Sequence, residues 1–224
     1  MKKTVAEIRF AGQISIIEGM TKLVRNYYPS EFSHWNLVSV ANSLQLYNGE
    51  SLAKASEIIQ ISNTQFIYSV ENPTTKNYFI DKYKKYYKMF QDYIETNSVS
   101  RIGIRNIELL EQTDKEYTLE KYNNIYKDTF LEMFSESKPK DFYDVINYDD
   151  SRIAFGPLAK KETTNNYWKE FKQTDEIKEN MFLFDIDCFN KNIKKTKIIN
   201  VLNNLFDKNN DLSDKMRNFF SMDK

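Results

Sequence analysis

Three segments far apart in the chain alternate apolar and charged residues in step. In "AEIRF", Ala6, Ile8 and Phe10 alternate with Glu7 and Arg9; in "RIGIR", Ile102 and Ile104 alternate with Arg101, Gly103 and Arg105. In "FLFDIDC", Phe182, Phe184, Ile186 and Cys188 alternate with Leu183, Asp185 and Asp187. Residues i and i+2 of a strand share one face, so each segment reads as a strand with one apolar and one charged side. Asp185 and Asp187 then project together from a buried strand and need cations. If the three strands are neighbours, the arginines answer the aspartates, each cross-strand pair contributing about 0.2–1 kcal/mol. The other answer would be a bound metal ion.

The remaining periodicity supplies helices and hairpins. Ile16, Met20, Leu23, Val24 and Tyr27 keep helical spacing, and Pro29 ends that run. The stretch 34–50 reads as extended and closes at Asn48-Gly49, and 56–72 reads as a hairpin turning at Ser62, Asn63 and Thr64. From Thr75 to Glu95, Phe79, Tyr83, Tyr86, Phe90, Tyr93 and Ile94 form one stripe of a helix whose remainder is rich in lysine. A strand is predicted over 99–111, a helix over 117–134, an exposed connection at 135–140 and a second hairpin around Asp149-Asp150-Ser151. From Thr196 a helix follows, with Asn209-Asn210 as a candidate break. Met216, Phe219 and Phe220 near its end must dock on the sheet or meet another chain.

These elements predict an α+β fold: a bent antiparallel sheet, or two small sheets, with helices packed on one side and a C-terminal helix closing the structure. With 224 residues, 41% of them hydrophobic, one domain over 1–224 is expected. If there are two lobes, they meet near 135–140.

Charge and composition narrow the function classes. Lysine plus arginine equals aspartate plus glutamate at 32 each, so no global field draws the chain to nucleic acid or an anionic membrane. The aromatic and lysine helix at 75–95 reads as core packing rather than as a stacking surface for bases. No window is long and apolar enough to span a membrane, and "MKKTVAEIRFAG" alternates charges where a signal peptide would turn apolar. A cytoplasmic protein without membrane association is therefore expected. The single cysteine, Cys188, cannot form an intramolecular disulfide, which suits a reducing compartment. His34 is the only histidine and has no neighbouring ligand cluster, and no phosphate-binding glycine loop is present.

The text "DIDCFNKNI" is similar to the metal-binding strand of diguanylate cyclases. That family needs a downstream glycine-rich hairpin bearing a third acidic group, and no glycine follows Gly156 here. One strand pair of carboxylates cannot close a two-metal shell. No metal and no cofactor are expected, and the balance is against an enzyme.

Four segments in order, "VAEIRFAG" (5–12), "RIGIRNIELL" (101–110), "LFDIDCF" (183–189) and "LSDKMRNFF" (212–220), resemble an uncharacterised, sporadically distributed prokaryotic family. That family shows EIRF-like, RIGLRYIN-like and DIDVF-like strands and a C-terminal D-x-LR-x-x-F helix. Asn106 stands where it usually carries an aromatic residue. The matching positions are Glu7, Arg9, Arg101, Gly103, Arg105, Asp185 and Asp187. The resemblance implies no reaction; its patchy distribution implies accessory genes travelling with defence or mobile elements. The expected function is thus a non-enzymatic binding or regulatory protein acting through a protein partner or as a homo-oligomer. The alternative is a small-ligand or metal-dependent enzyme or sensor using Asp185, Asp187 and the sheet arginines. Glu7, Arg9, Arg101, Arg105, Asp185 and Asp187 are the candidate site residues in either case.

Overall fold

The computed structural model describes residues 1–12, 15–38, 42–96, 98–111, 144–159, 167, 171 and 180–220. In chain order the elements are β1 (Lys2–Phe10), α1 (Ser15–Tyr27), β2 (His34–Val38), β3 (Ser43–Tyr47), β4 (Glu57–Ser62), β5 (Gln65–Glu71) and α2 (Lys76–Gln91). They continue with β6 (Val99–Glu111), β7 (Asp144–Asn147), β8 (Ser151–Ala159), β9 (Asn180–Ile193) and α3 (Ile198–Phe220). Among the described residues the strands form one open antiparallel sheet of nine, in the order β2-β3-β4-β5-β1-β6-β9-β8-β7. The fold is α+β, with a single sheet rather than two small ones. The helix expected at 117–134 and the connection at 135–140 lie outside the described residues.

Alternation along the strands decides which side the helices cover. Ala6, Ile8 and Phe10 of β1, Ile102 and Ile104 of β6, and Phe182, Phe184 and Ile186 of β9 are buried in one core with residues of α1, α2 and α3. Helix α2 is started by Thr75, whose side chain accepts a hydrogen bond from the Tyr78 backbone N–H. Its aromatic stripe, Phe79, Tyr83, Tyr86, Tyr87 and Phe90, is buried, so these rings offer no stacking surface for bases. The helix ends at Gln91, four residues before the predicted limit, and Ile94 tucks under α1. A β-carbon at Gly19 of α1 would sit 2.3 Å from Ile94 Cγ1 and 2.8 Å from the Tyr93 carbonyl oxygen, so glycine permits this close approach.

The C-terminal helix is continuous through Asn209-Asn210, contrary to the candidate break. Asparagine disfavours helix interiors because its amide competes for nearby backbone groups. Here the Asn209 amide is fully buried and donates to the carbonyls of Ile104 (3.1 Å) and Ile186 (2.6 Å) on the sheet below. Leu202, Leu205, Phe206, Leu212 and Phe220 complete the docked face. Phe220 packs with ring centroids 4.8 Å from Phe182 and 5.8 Å from Phe155, whereas Phe219 stays exposed. Asn106 also faces this helix rather than the surface, accepting a hydrogen bond of 2.8 Å from Thr4 Oγ1.

One buried carboxylate ties this corner together. Glu108 of β6 lies opposite Lys2 of β1, which approaches to 3.2 Å, and receives two hydrogen bonds from Arg217 of α3, the longer at 3.0 Å. Burial pushes its carboxyl upward, but Lys2 and Arg217 outweigh burial and hold it below the ordinary range. A group with a lowered folded pKa contributes stability above its unfolded value, near 4.3, and loses it as pH falls through the folded value. Urea midpoints should therefore fall between pH 6 and 3, less steeply for Glu108→Gln. At pH 7 that substitution should cost about 3 kcal/mol, the low end for a broken buried pair, since Lys2 is partly exposed. Parallel pH profiles for the two proteins would show that another group controls the acid limb.

Candidate functional site

Strands β1, β6 and β9 are neighbours, and their charged sides form one surface on the face of the sheet away from the helices. Register sets the pattern. Glu7 of β1 lies opposite Gly103 of β6, which lies opposite Phe189 of β9; one row along, Val5, Arg105, Asp187 and Arg152 of β8 line up across four strands. All six candidate residues, Glu7, Arg9, Arg101, Arg105, Asp185 and Asp187, are brought together.

Arg101 occupies the centre. Its guanidinium folds along β6 onto the bare backbone of Gly103, where an added β-carbon would meet guanidinium atoms at 3.2–3.3 Å. From there it bonds Glu7 on one side and Asp187 on the other, the latter at 2.7 Å, and stacks 4.7 Å above the Phe189 ring. A β-carbon at position 103 would thus oblige the guanidinium to give way by a few tenths of an ångström. Arg9 hydrogen-bonds the other Glu7 oxygen at 2.8 Å, which holds its guanidinium above the usual pKa against the opposing effect of burial.

The second cluster surrounds Asp185, which is fully buried. Arg105 grips it in a fork, with Nε at 2.7 Å and a terminal nitrogen at 2.9 Å, and the Tyr167 hydroxyl donates to it at 2.7 Å. Arg152 stands 3.9 Å away. Burial, with Asp185 beside it, raises the Tyr167 hydroxyl well above its normal range, so it remains a donor. Asp187 differs: burial pushes its carboxyl upward, Arg101 opposes that, and repulsion from Asp185 adds to it.

Between these clusters the surface sinks into a cavity of about 340 Å³. Val5 and Ile67 make an apolar wall and Gly103 part of the floor; Arg9, Arg101, Arg105 and Arg152 bring guanidiniums to it, with Glu7 and Asp187 between them. Arg152, Tyr167 and Phe189 were not selected from the sequence. Arg152 carried a usable signal, since "SRIAF" alternates like the other strands. Tyr167 carried none, because it belongs to no strand and no periodicity ties it to Asp185. Among the described residues no three His, Cys, Asp or Glu side chains are grouped to hold a metal ion.

A second surface lies at the end of the sheet. Trp35 and Leu37 of β2 pair with Leu46 and Leu44 of β3 and so lie on the helix-covered side. Leu44 and Leu46 are buried, but Trp35 and Leu37 are 49% and 59% exposed. At the opposite end, Ile146 of β7 pairs with buried Ile153 and is also exposed. No helix among the described residues is long and apolar enough to cross a membrane.

Comparison with known proteins adds no template: no family model, no curated protein and no solved structure matches the chain.

The contact between Arg101 and Gly103 gives a direct test. Gly103→Ala should destabilise by about 1–3 kcal/mol, as overpacking does, because Arg101 is held on three sides. In an Arg101→Ala background the same change should have little effect. Additive costs in the double-mutant cycle would show that the two positions are not coupled. For the aspartates, saturating magnesium or manganese should leave the melting temperature of the protein nearly unchanged. A native-state metal site would stabilise by about 2.7 kcal/mol at a hundredfold excess over its Kd. A saturable shift abolished by Asp185→Asn would point to a metal centre.

Proposed function

We propose that the protein is a non-enzymatic, cytoplasmic binding or regulatory protein that holds a protein partner against the uncovered end of its sheet. The observation that carries this reading is the exposure of Trp35 and Leu37, which continue the buried apolar face of the sheet onto its outermost strand. Stripes of this kind mark interaction surfaces. Strand β2 has no hydrogen-bonded neighbour on its outer side among the described residues. Its sequence, HWNLV, contains no lysine, acidic residue or proline, the devices that usually protect an edge strand from pairing. An extended partner segment added beside β2 would satisfy its backbone groups and cover both side chains.

The catalytic alternative has less support. Asp185 and Asp187 share a face, but each is held by an arginine, so neither is poised as a free base or as part of a ligand shell. The resemblance to a sporadically distributed prokaryotic family supports an accessory role, beside a defence or mobile-element locus.

Affinity purification from the native host should recover a stoichiometric partner with the unaltered protein and lose it with the Trp35→Lys, Leu37→Lys variant. Recovery of the same set by both proteins would sink the edge-strand reading. Light scattering on the purified protein identifies the homo-oligomeric version: a multiple of the chain mass that reverts to one chain in the variant makes the partner a second copy.

A further inference from the structure

The cavity on the charged face stands apart from β2 and supports a separate conclusion. Its carboxylates are committed within the protein: Glu7 bridges Arg9 and Arg101, Asp185 takes the fork of Arg105, and Asp187 takes Arg101. The guanidiniums are not exhausted in the same way. Arg9 uses Nε alone, toward Glu7, and its side chain is 54% exposed. The Arg152 side chain is 42% exposed, and its 3.9 Å approach to Asp185 is too long for a hydrogen bond. Among the described residues, the remaining N–H groups of these two have no protein partner. Among the described residues, Glu7, Asp185 and Asp187 are thus taken by arginines, while Arg9 and Arg152 keep N–H groups turned outward.

Their placement encloses a ligand-sized space. Arg9 on β1 and Arg152 on β8 are three strand spacings apart across the sheet, about 14 Å, and four residues apart along it, about 13 Å, since Arg152 lies in the row of Val5. Between them lies the 340 Å³ cavity, at the small end of ligand pockets, which run from about 300 to 1,000 Å³. The floor is rigid, because Arg101 is fastened over Gly103 by two carboxylates and a ring. Val5 and Ile67 add an apolar wall at the β1 and β5 end. A guanidinium presents its N–H groups as a planar fork that matches the paired oxygens of a phosphate or carboxylate.

The geometry points to this cavity as a binding site for a small organic anion whose phosphate or carboxylate groups take the outward N–H groups of Arg9 and Arg152, with its apolar part against Val5 and Ile67. The site does not depend on the partner surface at β2, so either can fail without the other.

Isothermal titration of the full chain at low salt tests it, with AMP, citrate, inorganic phosphate and a single-stranded oligothymidylate as probes. AMP or citrate should bind saturably, and whichever binds more tightly names the phosphate or the carboxylate source. Inorganic phosphate, which cannot reach the apolar wall, should bind more weakly than AMP. The Arg9→Gln, Arg152→Gln variant should weaken binding about tenfold or more, as loss of charged hydrogen bonds does. If that variant fails to fold, Arg152→Gln alone serves, since it breaks no side-chain hydrogen bond among the described residues; it should still weaken binding severalfold. No saturable binding by AMP or citrate, or affinity unchanged in the folded variant, overturns the proposal. So does binding of the oligothymidylate without the small anions, which would mean an open basic surface.

Discussion

The structure depends on keeping two incompatible solvents on opposite sides of one sheet. In the middle of the sheet β1, β6 and β9 place Ala6, Ile8, Ile102, Ile104, Phe184 and Ile186 toward the helices and Glu7, Arg9, Arg101, Arg105, Asp185 and Asp187 away from them. Farther along β6 and β9 the second face carries a smaller apolar cluster of Ile107, Leu109, Met181 and Leu183. Because strand periodicity is two, a register slip of one residue would carry Arg101 and Asp187 into the core and Ile102 and Phe184 out of it. The cost of such a slip, several buried charges and several exposed apolar groups, specifies the register more firmly than any turn could.

The charged side is arranged as a lattice rather than as isolated pairs. Glu7, Arg101 and Asp187 are joined by one guanidinium, and ordering that side chain serves both bonds at once. Exposed ion pairs such as Lys54–Glu50 contribute little, because water screens them and two long side chains must be ordered for one contact. Asp185 is the opposite case: with no exposed surface, it would be very costly without the Arg105 fork and the Tyr167 hydroxyl. The lattice therefore does two things. It satisfies carboxylates that the strand pattern forces inward, and it leaves the outer arginines on the rim of a shaped cavity.

The helix-covered side ends unevenly. Helices α1, α2 and α3 bury the middle of the sheet, whereas Trp35 and Leu37 at one end and Ile146 at the other remain exposed. Among the described residues an apolar edge at β2, proposed above to take another polypeptide, and an arginine-lined hollow, proposed to take a small anion, are chemically distinct surfaces. They sit on opposite faces of the same sheet, and the strands from β3 to β1 connect them.

Much of this was legible in the sequence because it follows from local periodicity. The alternation in "AEIRF", "RIGIR" and "FLFDIDC" placed Glu7, Arg9, Arg101, Arg105, Asp185 and Asp187 on the non-apolar sides of strands, and the helical stripes and hairpin turns were readable for the same reason. What the sequence could not determine was how many strands join one sheet, since pairing between distant segments depends on the whole chain. Nor could it place Arg152 and Tyr167 beside Asp185, reserve Gly103 as the seat of a guanidinium, or keep α3 helical through Asn209 by offering two sheet carbonyls to its amide. Each of these is a contact between residues far apart in the chain. Periodicity determines which face a side chain takes; only tertiary packing decides what it meets there.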